Sequence, residues 1–335
     1  MSAHYIGLKI GSSNTTIFKS GNGLVLKEAS MIAMPTNPKN KDVFAVGNNA
    51  KRLKDRLPQN IVVYSPISNG TIGYEDLALL MLKEFLKKVF PNKTIGQNIK
   101  AILCTPLGLS PEEKKAFELT CYKAGIADLY LIPEVICSAI GNGLNIQGEK
   151  ANMIVDIGGD STNIAIISNN TIVSAYNVSI GSSIINSAII KYVNETHNIV
   201  ISNEQAEQIK LDICSLMENY HASIDIDGYN YLTNLKEQIT ITSSELSPII
   251  KHYYGKIATI INSIIKQSDS QIIEDLNENG IHFFGGGSTA IGLDKFYQKH
   301  TSFKARIAIN SNASMIGTGE LISHPQLLHK LMKSL

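Results

Sequence analysis

The chain has 335 residues, 44% of them hydrophobic and 18% charged, with a formal net charge of +1. That length exceeds one comfortable core and sets an expectation of two domains, while the composition excludes a disordered chain and a membrane-saturated one. Without a dense Lys/Arg cluster interleaved with aromatics, nothing points to a nucleic-acid partner.

In chain order, YIGLKIGSSNTTIF (residues 5–18) reads as a strand, a tight Gly/Ser turn and a second strand near 16–19. Because the strand begins almost at once, neither a leader nor an anchor helix is expected there. A turn at Gly21-Asn22-Gly23 leads to a third strand over 24–34, and the stretch near 35–65 reads as an insertion. Residues 73–90 put Leu77, Leu80, Met81 and Phe85 on one helical face. The segment from Val89 to Ile95 then offers Phe90 and Ile95 as apolar side chains at a helix end. A strand at 99–105 precedes a helix over 110–124, with Ser110 as N-cap and Pro111 at the first helical position.

The second half repeats the first. NMIVDIGGDSTNIA (152–165) aligns with residues 5–18 without a gap, setting Ile157-Gly158 on Ile10-Gly11, Thr162 on Thr15 and Asp156 on Lys9. A strand over 163–168, a turn at Asn169-Asn170 and a strand over 171–180 follow. Helices are expected over 203–219 and 244–267, the latter kinked or shortened by Pro248 and Gly255. A strand at 281–284 then enters Gly285-Gly286-Gly287-Ser288 and a helix near 289–299. The pattern is α/β with mixed strands, and 185–245 reads as a second insertion.

Small residues at the two repeated turns let backbone N–H groups point into a cleft, and Ser/Thr hydroxyls can donate to phosphate oxygens. One such turn is a weak signal, but two at matching positions are a stronger one, since they could grip a single polyphosphate. The third Gly cluster allows close backbone approach to a nucleotide. Cys104, Cys121, Cys137 and Cys214 lie among apolar neighbours without CxxC spacing, as buried thiols in a reducing cytosol would. With no HExxH or paired His spacing, a zinc site is not expected.

GLKIGSSNT, VGNNAKRLKDRLPQNIVVYSPISNGTI, CTPLGLSPEEKKA and LYLIPEVICSAIGNGL, followed by MIVDIGGDSTNIAIIS, NEQAEQIKLDI, FFGGGSTAIGLDKF and MIGTGEL, carry a resemblance. In order and spacing they resemble the bacterial actins of the MreB family over nearly the whole chain. The resemblance implies an α/β actin-like fold, ribonuclease-H-like and duplicated, with a nucleotide cleft between two domains. Domain I would span 1–141 plus 317–335, and domain II 142–316. ATP or ADP with Mg2+ would be the cofactors, and the partner would be the chain itself, stacked head-to-tail into protofilaments. Cell shape, wall-synthesis scaffolding or motility would be the role. The location would be cytoplasmic, with membrane contact through Phe90 and Ile95 as an added expectation.

By position, the first phosphate loop is 9–16, with Lys9, Gly11, Ser12, Ser13 and Asn14 at the nucleotide. The second is 156–162, with Gly158, Gly159, Asp160 and Thr162. Glu134 and Ser161 fall at the catalytic positions, Glu134 orienting the attacking water. Asp156 would hold magnesium through its water shell, Glu207 and Lys210 would contact ribose and base, and Gly285, Gly286 and Gly287 would lie against the adenosine. Departures from the family pattern are Lys9 and Asn163 for acids, Asp160 for glycine, Ser161 for threonine, Val135 for proline and Ser182 for an acid. Losing the Lys9 acid implies a weak or residual ATPase. A small-molecule kinase on the same scaffold is the alternative, but no general-base aspartate facing a sugar pocket is evident. A chaperone-type ATPase would need a separate substrate-binding domain.

Overall fold

A computed structural model describes residues 3–37, 42–54, 59–91, 98–308, 310 and 312–334. Two five-stranded sheets share one strand order. The first runs Ile126–Pro133, Asn98–Thr105, Ala3–Ile10, Asn14–Lys19, Gly23–Ala29; the second runs Ala305–Ile307, Ile281–Phe284, Asn152–Ile157, Thr162–Ser168, Thr171–Val178. Ala3–Ile10 pairs parallel with Asn98–Thr105, as Asn152–Ile157 does with Ile281–Phe284. The repeat in the sequence is therefore a repeat of topology, and the fold is α/β and actin-like.

The chain separates into two compact units, residues 1–149 with 165–177 and 309–335, and residues 150–164 with 178–308. In the first, Ile6, Leu8, Ile17, Leu103, Met81 and Phe85 belong to one buried cluster between sheet and helices. The helix Pro111–Lys123 starts as expected: the Ser110 hydroxyl accepts from the Glu113 amide, and the Glu113 carboxylate accepts from the Ser110 amide. The expected strand over 24–34 is two strands. Gly23–Ala29 stays in the large sheet, and Ile32–Pro35 turns away to pair with Ala45–Val46 and Ile61–Tyr64.

Of the two side chains expected to contact a membrane, Phe90 belongs to the core in this structure. It is buried, with its ring 5.3 Å from that of His4 and 4.8 Å below the Lys19 ammonium, so it is not presented to a bilayer. The apolar face of Glu75–Val89 faces the core, and Phe90 completes that face. Ile95 lies outside the described residues.

In the second unit the helix expected over 203–219 is Asn203–Ile213. It stops because Ser215 bridges to Ile291 and the Leu216 amide donates to the Ile291 carbonyl. The long helix Ser243–Gln267 instead runs through Pro248 and Gly255. Its buried face, including Leu246, Ile250, Tyr254, Ile257 and Ile261, outweighs the hydrogen bond that Pro248 removes. Ile199–Val200, Ser223–Asn230 and Lys236–Thr242 form a small antiparallel sheet within the region read as an insertion. The expected helix after the Gly cluster divides into a 3-10 turn, Gly286–Thr289, and a helix, Leu293–Thr301.

Candidate functional site

The first unit supplies a loop at the carboxyl ends of parallel strands, where α/β folds place ligands. The Gly11 amide donates to the Asn14 carbonyl (3.1 Å), closing the turn, and the Ser30 amide holds the Ser13 carbonyl (3.0 Å). The Ser12 hydroxyl accepts from the Gly70 amide (3.1 Å), so its own proton remains able to donate. Gly70 lies in a tight Asn-Gly hairpin between Ile67–Ser68 and Thr71–Ile72.

Lys9 and Glu134 meet here. Lys9 is paired in register with Cys104, and Cys104 with Ile132, which puts Pro133 and the start of the helix Glu134–Gly141 two strands away. The Lys9 stem passes over the loop, its Cε 3.6 Å from where a Cβ on Gly11 would stand. Its ammonium forms an ion pair with Glu134 Oε1. Glu134 is buried, and its carboxylate lies in the first turn of its helix, where the helix dipole also favours negative charge. Next to the pair, burial pushes the Cys104 thiol well above its ordinary pKa, with the neighbouring Cys137 thiol adding to the effect. All four cysteines are buried free thiols, as expected from their sequence context.

The second unit repeats the loop: the Gly158 amide donates to the Ser161 carbonyl (2.9 Å). Its support differs. The Ser182 and Ser183 amides at the start of the helix Ser182–His197 donate to the Gly158 and Gly159 carbonyls (3.0 and 2.8 Å). The Ser183 hydroxyl donates to Asp160 Oδ1 (2.7 Å) and the Thr162 hydroxyl to the Ile180 carbonyl (2.6 Å). Gly181 lies so close to the Gly159–Asp160 backbone that a side chain would overlap it.

Asp156 is buried at the end of its strand, in register with Phe284, so the Gly285 turn arrives beside its carboxylate. A Cβ on Gly285 would collide with the Ile157 carbonyl and Asp156 Oδ1, and its φ of +80° itself favours glycine. Gly286 has open space instead, and the Gly287 carbonyl accepts from the buried Tyr254 hydroxyl (2.8 Å). Two sequence-distant candidates, the second loop and the Gly cluster, are thus one feature of this unit.

Glu207 and Lys210 occupy the helix Asn203–Ile213. The half-buried Lys210 ammonium donates to Ser182 Oγ (3.0 Å) and Asn186 Oδ1 (2.7 Å), tying this helix to the one that supports the second loop. Burial lowers its pKa, and Glu207 partly offsets the effect. Sequence reasoning missed the roles of Ser183, Gly181 and Gly70. The Asn-Gly pair was the one local signal among them.

A family model described as MreB/Mbl protein matches residues 3–330. The chain belongs to the MreB/Mbl family. It is 30% identical over 311 residues to the cell shape-determining protein MreB of Escherichia coli (strain K12), covering 92% of this chain and 90% of that protein. Among solved structures, MreB5 of Spiroplasma citri bound to AMPPNP superposes with a TM-score of 0.89 at 25% identity, each chain covered in full. The MamK double helical filament shares the fold, with a TM-score of 0.80 at 15% identity, covering 96% of this chain and 99% of that one. This MreB/Mbl-family membership favours a cytoskeletal protein over a kinase. Among the described residues, no helix is long and apolar enough to cross a membrane, and no three acidic, His or Cys side chains group as a metal cage.

Proposed function

We propose that this chain binds ATP and ADP, polymerises head-to-tail as a bacterial actin, and hydrolyses its nucleotide slowly. The observation that carries nucleotide binding is the duplicated loop, with one amide-to-carbonyl closure at Gly11–Asn14 and again at Gly158–Ser161. Such turns free neighbouring N–H groups for phosphate oxygens. Ser12, Ser13, Asn14, Gly159 and Thr162 would line the phosphates, with Gly285, Gly286 and Gly287 against the adenosine and Glu207 and Lys210 toward ribose and base. The AMPPNP-bound relative and the MamK filament support the nucleotide and polymer parts respectively.

Magnesium binds proteins through one or two carboxylates and keeps much of its water, so a single buried Asp156 beside open Gly286 fits an ion held through water and phosphate. The ion would neutralise charge on the phosphates. Slow hydrolysis follows from the Lys9–Glu134 pair. Glu134 orients the attacking water only if its carboxylate is available as an acceptor, and Lys9 occupies that carboxylate with an ammonium. The same ammonium lies at the phosphate loop and favours polyanion binding, and Ser161 completes the proposed catalytic set.

Phosphate release by the purified chain with ATP and Mg2+ is the test. Turnover is expected to be low in the wild type and higher in Lys9→Asp, with weaker nucleotide affinity. Rapid turnover by the wild type, or no gain in Lys9→Asp, would overturn the role given to Lys9. Negative-stain microscopy with ATP and with ADP tests the polymer: discrete particles in both would overturn it.

A further inference from the structure

We propose that the first unit's loop carries its own cation, Lys9, and that this chain therefore holds a nucleoside diphosphate without needing a divalent metal ion. This rests on the nucleotide-binding reading above and adds a property of that site, an affinity that survives removal of magnesium. Phosphates need positive charge near them, and an ammonium can supply it as a metal does. An ion held by Asp156 then adds to binding without being required for it.

The charges of the first unit favour the ammonium. No Asp or Glu precedes Glu28 in the sequence, so the first strand and its loop contain no acid. Glu28 is committed to other partners, its Oε2 accepting from the Asn48 amide (3.2 Å) and its Oε1 pairing with Lys88 (2.6 Å). Glu134 is brought to the loop by the fold, and the Lys9 ammonium already pairs with its Oε1. Burial raises the pKa of the neighbouring Cys104 well above its ordinary value, so this thiol offers a metal no thiolate. Magnesium binds proteins through one or two carboxylates, and on this side it meets an ammonium instead.

The cation also lies where a phosphate can reach it. Lys9 is the penultimate residue of the strand Ala3–Ile10, and its stem lies over the turn, with Cε 3.6 Å from where a Cβ on Gly11 would stand. That turn is fixed from below by the Gly11 amide on the Asn14 carbonyl and by the Ser30 amide on the Ser13 carbonyl. Within the ion pair the Lys9 side chain is 29% exposed and that of Glu134 only 10%. An anion arriving from solvent therefore meets the ammonium before the carboxylate. With three N–H donors, an ammonium can serve Glu134 and a phosphate oxygen together. The repeat supplies the comparison, since the second unit keeps Asp156 at the matching position. An acid at position 9 would face the phosphates beside Glu134 and make a divalent cation obligatory. Lys9 differs from such an acid by two units of charge, worth at least about tenfold in affinity.

The test is equilibrium binding of a fluorescent ADP to the full chain, read by anisotropy in excess Mg2+ and again in EDTA. On removal of the metal the wild type should lose no more than about threefold in affinity, and Lys9→Arg, which keeps the charge, should behave alike. Lys9→Asp should lose at least about tenfold under the same exchange. Glu134→Gln removes the acid and retains the cation, so in EDTA it should bind the fluorescent ADP more tightly than the wild type. That variant places no new acid in the loop, and it decides the matter if Lys9→Asp fails to fold. A larger loss by the wild type in EDTA overturns the proposal while leaving the nucleotide reading intact. So does a Lys9→Asp variant as indifferent to EDTA as the wild type, or a Glu134→Gln variant with no gain. A wild type that binds in neither condition removes the nucleotide reading, and the proposal with it.

Discussion

The Gly11–Asn14 loop of the first unit and the Gly158–Ser161 loop of the second close with the same bond, yet Lys9 precedes one and Asp156 the other. Their surroundings diverge in the same sense. Lys9 reaches forward over its loop to Glu134, 125 residues away, and pairs with it there. Asp156 stays at its strand end, packed against the Gly285 turn. Backbone shape has thus been kept in both copies while charge has been redistributed: the first loop gained a cation and the second kept its acid. A turn defined by a main-chain bond tolerates side-chain change in a way that a metal or water site does not, because the latter depends on particular atoms at particular distances.

The largest effect is expected where the second loop and the Gly cluster touch. Gly285→Val should destabilise the protein by on the order of 3–5 kcal/mol, combining left-handed backbone strain with overlap on Ile157 and Asp156. It should also abolish ADP-induced thermal stabilisation. Gly286→Ala, which meets open space, should leave the fold unaltered; equal damage from both would mean that the approach of Gly285 to Asp156 is unimportant.

The next effect separates the two sheets by pH. His282 occupies the second-sheet position that Ile102 holds in the first, and it is buried between Ile154 and Arg306 with no hydrogen-bond partner at Nδ1 among the described residues. Burial, with help from Arg306, lowers its pKa from 6.5 to about 4. The unfolded chain therefore takes up the proton first as pH falls below 6.5. Stability should drop by about 1.4 kcal/mol per pH unit down to about pH 4, to a ceiling of about 3 kcal/mol, and stay level below that. Above 6.5 this group contributes no pH dependence. Melting temperatures of the wild type and His282→Leu should diverge between pH 7 and 4.5 in favour of the variant; parallel curves would exclude His282 as the cause.

What could be read from the sequence was short-range. Each copy of the repeated turn, the Ser110 cap and the Gly285 cluster is encoded within a few residues, and each turns up where its local chemistry demands. The Lys9–Glu134 pair is not of that kind. It depends on two parallel registers, Lys9 with Cys104 and Cys104 with Ile132, that no local pattern specifies. The end of the helix Asn203–Ile213 was illegible for the same reason, being set by Ile291. Phe90 shows a further limit: an apolar residue at a helix end fits lipid or core equally well until its neighbours His4 and Lys19 are in place.

The first-loop pair gives a smaller effect with a diagnostic non-additivity. Lys9→Met leaves the buried Glu134 carboxylate without its ammonium and should cost about 1–3 kcal/mol, reduced from a fully buried pair because Lys9 retains 29% side-chain exposure. Combining it with Glu134→Met should recover much of that loss in urea denaturation, since two apolar side chains leave no unpaired charge. Additive losses would show that the pair carries little coupling.

The smallest effect concerns the support of the second loop, which the first loop lacks. Ser183→Ala removes the hydroxyl that donates to Asp160 Oδ1, but the Ser182 and Ser183 amides still hold the Gly158 and Gly159 carbonyls. The expected loss is about 1 kcal/mol, the usual worth of one hydrogen bond to a charged group with partial solvent access. Asp160→Asn keeps an acceptor oxygen for the same hydroxyl and should cost less. It also removes a negative charge from a loop proposed to face phosphates, so its ADP affinity should rise. If affinity instead falls with Asp160→Asn, the loop depends on the carboxylate itself, and the acid missing at Lys9 would have its functional counterpart at Asp160.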